Sequence, residues 1–224
     1  IDWSVSIKEI QKNWIGKSNG ASVRFALENS EDKIEVFTTR PDTIFGVNFM
    51  VLAPEHELIN KITTVQKKDA VEKYVNTAKL KSERERQADK NVSGVFTGAF
   101  AIHPFTGDKV AIWVGDYVLA SYGTGAVMAV PCGDQRDWDF ATYFGLEIIN
   151  VFEGVDISEG ANEDATVNIT NSDFLNGLSA KKAMNLAIQK IEEGGFGQGK
   201  INYRLRDAIF SRQRYWGEPF PVYY

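Results

Sequence analysis

This chain predicts an α+β domain: a mostly antiparallel, barrel-like sheet with helices on its flanks. Three observations carry that expectation. Short alternating or apolar segments recur along its 224 residues, as strands do. A few amphipathic helical stretches interrupt them without the regular alternation that builds a doubly wound parallel sheet. The glycine segments, such as Gly123-Thr124-Gly125, fit neither a dinucleotide fingerprint nor a P-loop, which ends in Lys-Ser/Thr.

The elements follow in order. Residues 4–14 place Ile7, Ile10 and Trp14 at helical spacing, and residues 16–20 hold two glycines that predict a turn. Residues 21–27 and 33–38 alternate like two strands joined by the polar loop 28–32. Residues 46–53 read as a third, apolar strand, after which Pro54 suits the first turn of a helix. The charge-rich stretch 67–90 predicts a helix to about residue 82, with 79–90 as a solvated face or mobile loop. Residues 95–102 and 109–114 form a hairpin around Pro104-Phe105-Thr106-Gly107-Asp108, a run of turn formers. Residues 127–130 make a strand, 134–144 a helix and 146–152 another strand, followed by an acidic surface excursion over 153–173. Ser179 is placed to cap a helix whose Ala183, Ala187 and Ile191 share a face, and Gly194-Gly195 ends it. The tail from Ile201 is strand-like and carries Arg204, Arg206, Arg212 and Arg214, suited to a strand face or to nucleic-acid phosphate.

Composition narrows the function. A content of 43% hydrophobic and 25% charged residues can bury a full core. The formal charge of −5 argues against coating nucleic acid over a wide face, though local cations can still dock one end of it. The one cysteine, Cys132, excludes an internal disulfide, and with only His56 and His103 beside it a zinc centre is not expected. No run approaches the roughly 20 apolar residues of a membrane span, so no membrane partner and a cytoplasmic location are the expectation. The chain begins at Ile1 and closes on the aromatic run Pro219-Phe220-Pro221-Val222-Tyr223-Tyr224, so a piece of a longer polypeptide is expected.

Two segments concentrate polar chemistry at strand ends. In Thr38-Thr39-Arg40-Pro41-Asp42-Thr43, three hydroxyls, a cation and a carboxylate follow an apolar run, and Pro41 forces the chain to turn. In Pro131-Cys132-Gly133-Asp134-Gln135-Arg136-Asp137, two carboxylates lie three residues apart at a helix start, on one face of the helix. One of them can cap the helix while the other pairs with an ammonium group in a pocket. Arg136 points to another side, available for phosphate or an internal ion pair. Ordinary capping and β-propensity also account for these residue types, so the residues alone leave both readings open.

With these residues the chain resembles a known family. Thr38 to Thr43, followed by Val51-Leu52-Ala53-Pro54-Glu55-His56, looks like the threonine-rich region of the leucyl-tRNA synthetase editing domain, of the bacterial or organellar type. The stretch 123–137 resembles its aspartate-bearing segment. Asn13-Trp14-Ile15-Gly16-Lys17-Ser18 is similar to the family's entry into that inserted domain. Leu205-Arg206-Asp207 and Phe210-Ser211-Arg212-Gln213-Arg214-Tyr215-Trp216-Gly217 are similar to its return to the catalytic core. Arg40-Pro41-Asp42-Thr43 is closer to the leucine enzyme than to the valine enzyme, which has glutamate where Asp42 stands, or to the isoleucine enzyme.

The resemblance implies a division into a linker over 1–20, the editing domain over 21–200 and a returning linker over 201–224. It implies hydrolysis of the ester that joins a wrong amino acid to the 3′ adenosine of tRNA-Leu. Asp137 is implied to hold the substrate's α-ammonium group, and Thr43 to occupy the space leucine's γ-branch needs. Thr38 and Thr39 are implied to line the ester and ribose, and Arg40 to bind the tRNA end. Met128, Asp134 and Arg136 are implied pocket residues of lower rank. The implied partners are the 3′ end of mischarged tRNA-Leu and the catalytic core of the parent synthetase. No cofactor is implied for this chain, since ATP and magnesium serve only the synthetic domain, whose two signatures do not occur here. Many bacterial relatives have Gly-His where this chain has Cys132-Gly133, which leaves no histidine at that point as general base. The runner-up readings are an editing domain for valine or isoleucine, and a non-catalytic module that positions tRNA.

Overall fold

The computed structural model describes residues 2–89, 91–120, 123–164 and 166–203. The arginines expected along the tail, Arg204, Arg206, Arg212 and Arg214, lie outside these residues, as does the motif over 205–217. The chain divides into two compact units, one spanning residues 19–201 and one combining residues 1–18 with 202–224.

The larger unit is organised by one seven-stranded sheet. Its strands are β1 (Lys17–Leu27), β2 (Lys33–Thr38), β3 (Phe49–Leu52), β4 (Val95–Ile102), β5 (Lys109–Val114), β6 (Ala126–Ala129) and β7 (Gly197–Tyr203). The order is β2-β1-β4-β5-β3-β6, with β7 also paired to β1. Strands β1/β2, β1/β4, β4/β5 and β3/β6 pair antiparallel, and β3/β5 pairs parallel. The sheet is open: β2 and β6 end the ladder, yet lie against each other. That rolled arrangement brings the end of β2 beside β6.

The central strand explains where the core sits. All four residues of β3 are buried, because the strand is covered on both faces. Met50 and Leu52 point into a large cluster with Val23, Phe25, Ile34, Val36, Ile112 and Val114, closed by Ala183, Ala187 and Ile191 of α6 (Ala180–Glu193). Phe49 and Val51 point the other way, against Phe140 and Ala141 of α5 (Gln135–Phe144). Phe49 and Phe140 stack with ring centroids 5.0 Å apart. Full burial of such a ring makes its truncation to alanine cost about 3–5 kcal/mol. The helix that opens at the polar segment is thereby fixed to the sheet.

Several expectations are corrected. Only Gly16 turns the chain after α1 (Val5–Ile15); residues 17–20 are already in β1, whose pairing with neighbours outweighs their loop-like composition. The strand expected over 46–53 is limited to β3, because the preceding Pro41–Gly46 winds as a 3-10 turn. Pro54 starts a turn, and the helix begins later, at α2 (Ile59–Ile62). Residues 146–152 form no strand; Phe152 makes one isolated bridge to Ile169. Ser179 occupies the position before α6 without a side-chain capping bond.

Over 79–90, expected as a solvated face or mobile loop, most of the described residues are exposed, but the segment is helical in part and one of its cations is buried. After α3 (Lys68–Lys79), α4 (Glu83–Ala88) opens with a reciprocal capping box between Ser82 and Glu85. Arg86 is only 4% exposed, and its guanidinium donates to Glu55 at 2.7 and 3.3 Å. A charge run can therefore be tied down when one cation finds a carboxylate beneath the segment.

Gly20 shows how the sheet sets the polar segment. A Cβ there would lie 2.0 Å from the carbonyl oxygen of Thr38, backbone that cannot step aside. Its absence lets β1 approach the end of β2. Gly20→Ala is expected to lower unfolding free energy by about 2 kcal/mol or more, the cost of overpacking. Urea denaturation measures it, and unchanged stability would contradict the close approach.

Candidate functional site

Three elements converge on one cleft of about 150 Å³, lined by Thr38, Thr39, Arg40, Thr43, Met128, Val130, Gly133, Asp134 and Asp137. The free volume is that of several waters. Thr38 and Thr39 lie where β2 ends, Thr43 in the 3-10 turn that Pro41 opens, Met128 on β6, and Asp137 in the first turn of α5. Of the eight site residues that the resemblance implies, Arg136 alone is not in the lining; it is exposed at the start of α5.

The turn after β2 is held by its own side chains. Thr38 Oγ1 accepts from the Arg40 N–H at 3.0 Å. Arg40 makes a forked pair with the fully buried Asp42, through Nε at 3.1 Å to both oxygens and Nη2 at 2.8 Å. Two of its three nitrogens are thus committed within the protein, and its guanidinium lies 5.9 Å from the centre of the Phe152 ring. Thr43, 3% exposed, donates its hydroxyl to the Arg40 carbonyl at 2.9 Å. A β-branched side chain anchored in this way presents a rigid wall.

The two aspartates divide their roles. Asp134 is the N-cap of α5: its Oδ1 accepts from the N–H groups of Arg136 at 2.9 Å and Asp137 at 3.2 Å. It is exposed at the mouth of the cleft. Asp137, 7% exposed, turns inward. Its Oδ2 accepts from the Val130 N–H at 2.9 Å and its Oδ1 from the Tyr117 hydroxyl at 3.0 Å. A carboxylate has about four acceptor positions, so two remain after these bonds.

Burial, and secondarily the charge of Asp134, push the Asp137 carboxyl up to about 7, against the opposing pull of the Val130 and Tyr117 donors. Tyr117 and Val130 were not singled out in the sequence, and Gly133 was marked only as a position where relatives carry histidine. Tyr117 precedes Asp137 by 20 residues with no motif to join them, whereas Val130 and Gly133 were already inside the marked segment.

Cys132 is fully buried, and burial raises its thiol above the ordinary value. It is absent from the cleft lining and is a poor nucleophile there. His103 is likewise structural: Nε2 bonds the Ile44 carbonyl at 3.0 Å, while Nδ1 accepts two backbone N–H groups. Among the described residues, no three His, Cys, Asp or Glu side chains gather as a metal site, and no helix is long and apolar enough to cross a membrane.

Fold and cleft together define an α+β domain with a compact polar cleft at the end of its sheet. A family model described as "Leucyl-tRNA synthetase, editing domain" matches residues 12–192. The chain is 65% identical to the leucine–tRNA ligase of Christiangramia forsetii and 64% identical to that of Flavobacterium johnsoniae, in each case over 100% of the chain and 24% of the relative. A crystal structure of the ternary complex of an Agrobacterium radiobacter LeuRS with tRNA and LeuAMS superposes with a TM-score of 0.73 at 34% identity, covering 91% of this chain and 22% of that one. The chain belongs to the leucyl-tRNA synthetase editing-domain family. It spans about a quarter of the length of these relatives.

The buried carboxyl predicts a pH dependence of stability. Asp137 titrates near 7 when folded, against an ordinary value of 3.8. Between those values the folded state holds more protons, so this group lowers stability as pH rises through the window. Asp137→Asn removes that titration. Relative to the parent chain, the variant is expected to gain about 3 kcal/mol between pH 5 and pH 8. Parallel denaturant curves would disprove the elevated carboxyl.

Proposed function

We propose that this cleft hydrolyses the ester between a wrongly attached amino acid and the 3′ adenosine of tRNA-Leu, and spares leucine. The observation that carries the reading is the inward, half-satisfied carboxylate of Asp137 lining the same small cleft as Thr43. An α-ammonium group is the natural complement of a desolvated carboxylate with acceptor capacity left over. Anchored at its nitrogen, the amino acid would aim its side chain and ester in fixed directions. In this arrangement the ester carbonyl faces Thr38 and Thr39, and a side chain branched at Cγ meets Thr43.

Exclusion is the efficient route to specificity here. Favourable contacts alone discriminate only about 1–3 kcal/mol per methylene. A clash with a wall whose hydroxyl is already bonded to the Arg40 carbonyl can exceed that. Water then needs orientation and the oxyanion a donor, both of which threonine hydroxyls can supply without a covalent intermediate. We assign water activation to those hydroxyls together with the free hydroxyl of the terminal ribose. Residues 1–20 and 201–224 are read as the connections to the catalytic core of the parent synthetase, and 21–200 as the editing domain.

In the synthetase that carries this chain, Asp137→Ala is expected to reduce deacylation of mischarged tRNA-Leu at least 100-fold, with retained activity meaning the amine is held elsewhere. Thr43→Ala is expected to expose correctly charged leucyl-tRNA to hydrolysis, and continued sparing would remove Thr43 from its role. Gly133→His tests water activation. A Cβ at that position would sit 3.3 Å from the Phe152 ring, a contact a small shift relieves. Less than a fivefold change in deacylation is expected, and a large gain would show that a histidine base was the missing group. Binding of the tRNA acceptor end with no deacylation above background would favour a positioning module.

A further inference from the structure

One of the two hydrogen bonds to the Asp137 carboxylate comes from a residue outside the cleft lining, Tyr117. We propose that Tyr117 is a positioning residue for substrate recognition, its hydroxyl holding the Asp137 carboxylate in the orientation and ionised form that an ammonium group requires. The inference rests on the reading of Asp137 given above.

Tyr117 is itself unusually well fixed. It follows β5 on a short turn whose Gly115 N–H donates to the Leu52 carbonyl at 3.1 Å. Its ring packs beside Phe140 at 5.9 Å between centroids. A Cβ on Gly115 would lie 3.1 Å from the same ring, so the turn leaves it just enough room. The adjacent Asp116 is tied down from three directions: its N–H donates to the Tyr74 hydroxyl at 3.0 Å, and its carboxylate accepts from Ser93 at 2.8 Å and Lys81 at 3.2 Å. A hydroxyl delivered by so constrained a segment can define the position of its partner.

The bond geometry gives that position a consequence. Val130 N–H holds one carboxylate oxygen and Tyr117 O–H the other, from two separate parts of the chain. Both donors oppose rotation of the carboxylate, and each leaves its oxygen with an acceptor site for a ligand. Burial raises the Tyr117 phenol well above its ordinary value, so it remains a neutral donor through the working pH range. A neutral donor favours the ionised form of a carboxyl. The Val130 N–H still restrains the carboxylate once the hydroxyl is gone, so the loss acts through protonation: Asp137 becomes easier to protonate, and ammonium binding weakens where it is protonated.

Other charges around the pair are Asp134 and Arg136 on α5, Arg40 and Asp42 on the turn after β2, and the Cys132 thiol before α5. Tyr117→Phe leaves all of them unchanged and removes only the hydroxyl.

The test is the pH profile of kcat/KM for deacylation of mischarged tRNA-Leu by the synthetase carrying this chain, with and without Tyr117→Phe. Loss of one charge-assisted bond is expected to move the acidic midpoint upward by about one pH unit. The defect should be about tenfold near pH 6.5 and fall below twofold near pH 8.5, expressed in KM more than in kcat. A direct ¹³C NMR titration of the Asp137 carboxyl in the chain should show the same upward displacement. An unchanged midpoint, or a loss equal at every pH, overturns the inference. If the variant does not fold, biosynthetic replacement of tyrosine by 3-fluorotyrosine strengthens the donor at unchanged shape and should move the carboxyl midpoint downward; no movement overturns the inference equally. Asp137→Ala separates the two levels. If it retains deacylation, the reading of Asp137 itself fails. If it abolishes deacylation while Tyr117→Phe leaves the midpoint fixed, only the role of Tyr117 fails.

Discussion

One desolvated carboxylate, held between a backbone N–H and a tyrosine hydroxyl, is the constraint around which this domain is arranged. Burying Asp137 is unfavourable by itself, as its elevated titration shows. A group placed at that disadvantage is poorly explained as scaffolding, because the helix beside it is already capped by Asp134. The two donors reduce the penalty without removing it, and the residue lines a cleft. A cationic ligand would complete the balance, which is why the site is read as a receptor for an amine.

The rest of the fold serves that placement. Strand β3 is buried on both faces, and the stacked Phe49 and Phe140 pack the middle of α5 against it. Missing side chains matter as much as those present: at Gly20 the close approach of β1 sets the end of β2, and so the threonines. The Arg40–Asp42 pair then fixes the turn that presents Thr43. Arg40 is consequently less available to a nucleic-acid end than the resemblance implies. Its remaining nitrogen can still contact a phosphate, but its main partner is internal.

Much of this was legible in the sequence, for local reasons. Alternation marked β2, a run of turn formers marked the β4–β5 hairpin, and a proline followed by spaced carboxylates marked the start of α5 together with its cap. Seven of the eight implied site residues line one cleft because the rolled sheet sets the end of β2 beside β6, and α5 opens shortly after β6. What stayed hidden depended on distant partners. Tyr117 looks like any tyrosine after a strand until the fold places Asp137 against it. Arg86 looks like part of a solvated charge run until Glu55 meets it. The apolar stretch 146–152 has strand composition, but its backbone finds only one bridge, so it packs as coil. Pairing and burial, which composition does not encode, decided each of these.

The central claim, that Asp137 receives the substrate's amino group, is tested most directly by a crystal structure with a non-hydrolysable amide mimic of norvalyl-adenosine. The account predicts the ligand nitrogen within hydrogen-bond distance of an Asp137 carboxylate oxygen, with the Tyr117 and Val130 bonds intact and the side chain ending against Thr43. A ligand bound in the cleft with its nitrogen on other groups, and Asp137 contacting only the protein, would contradict it.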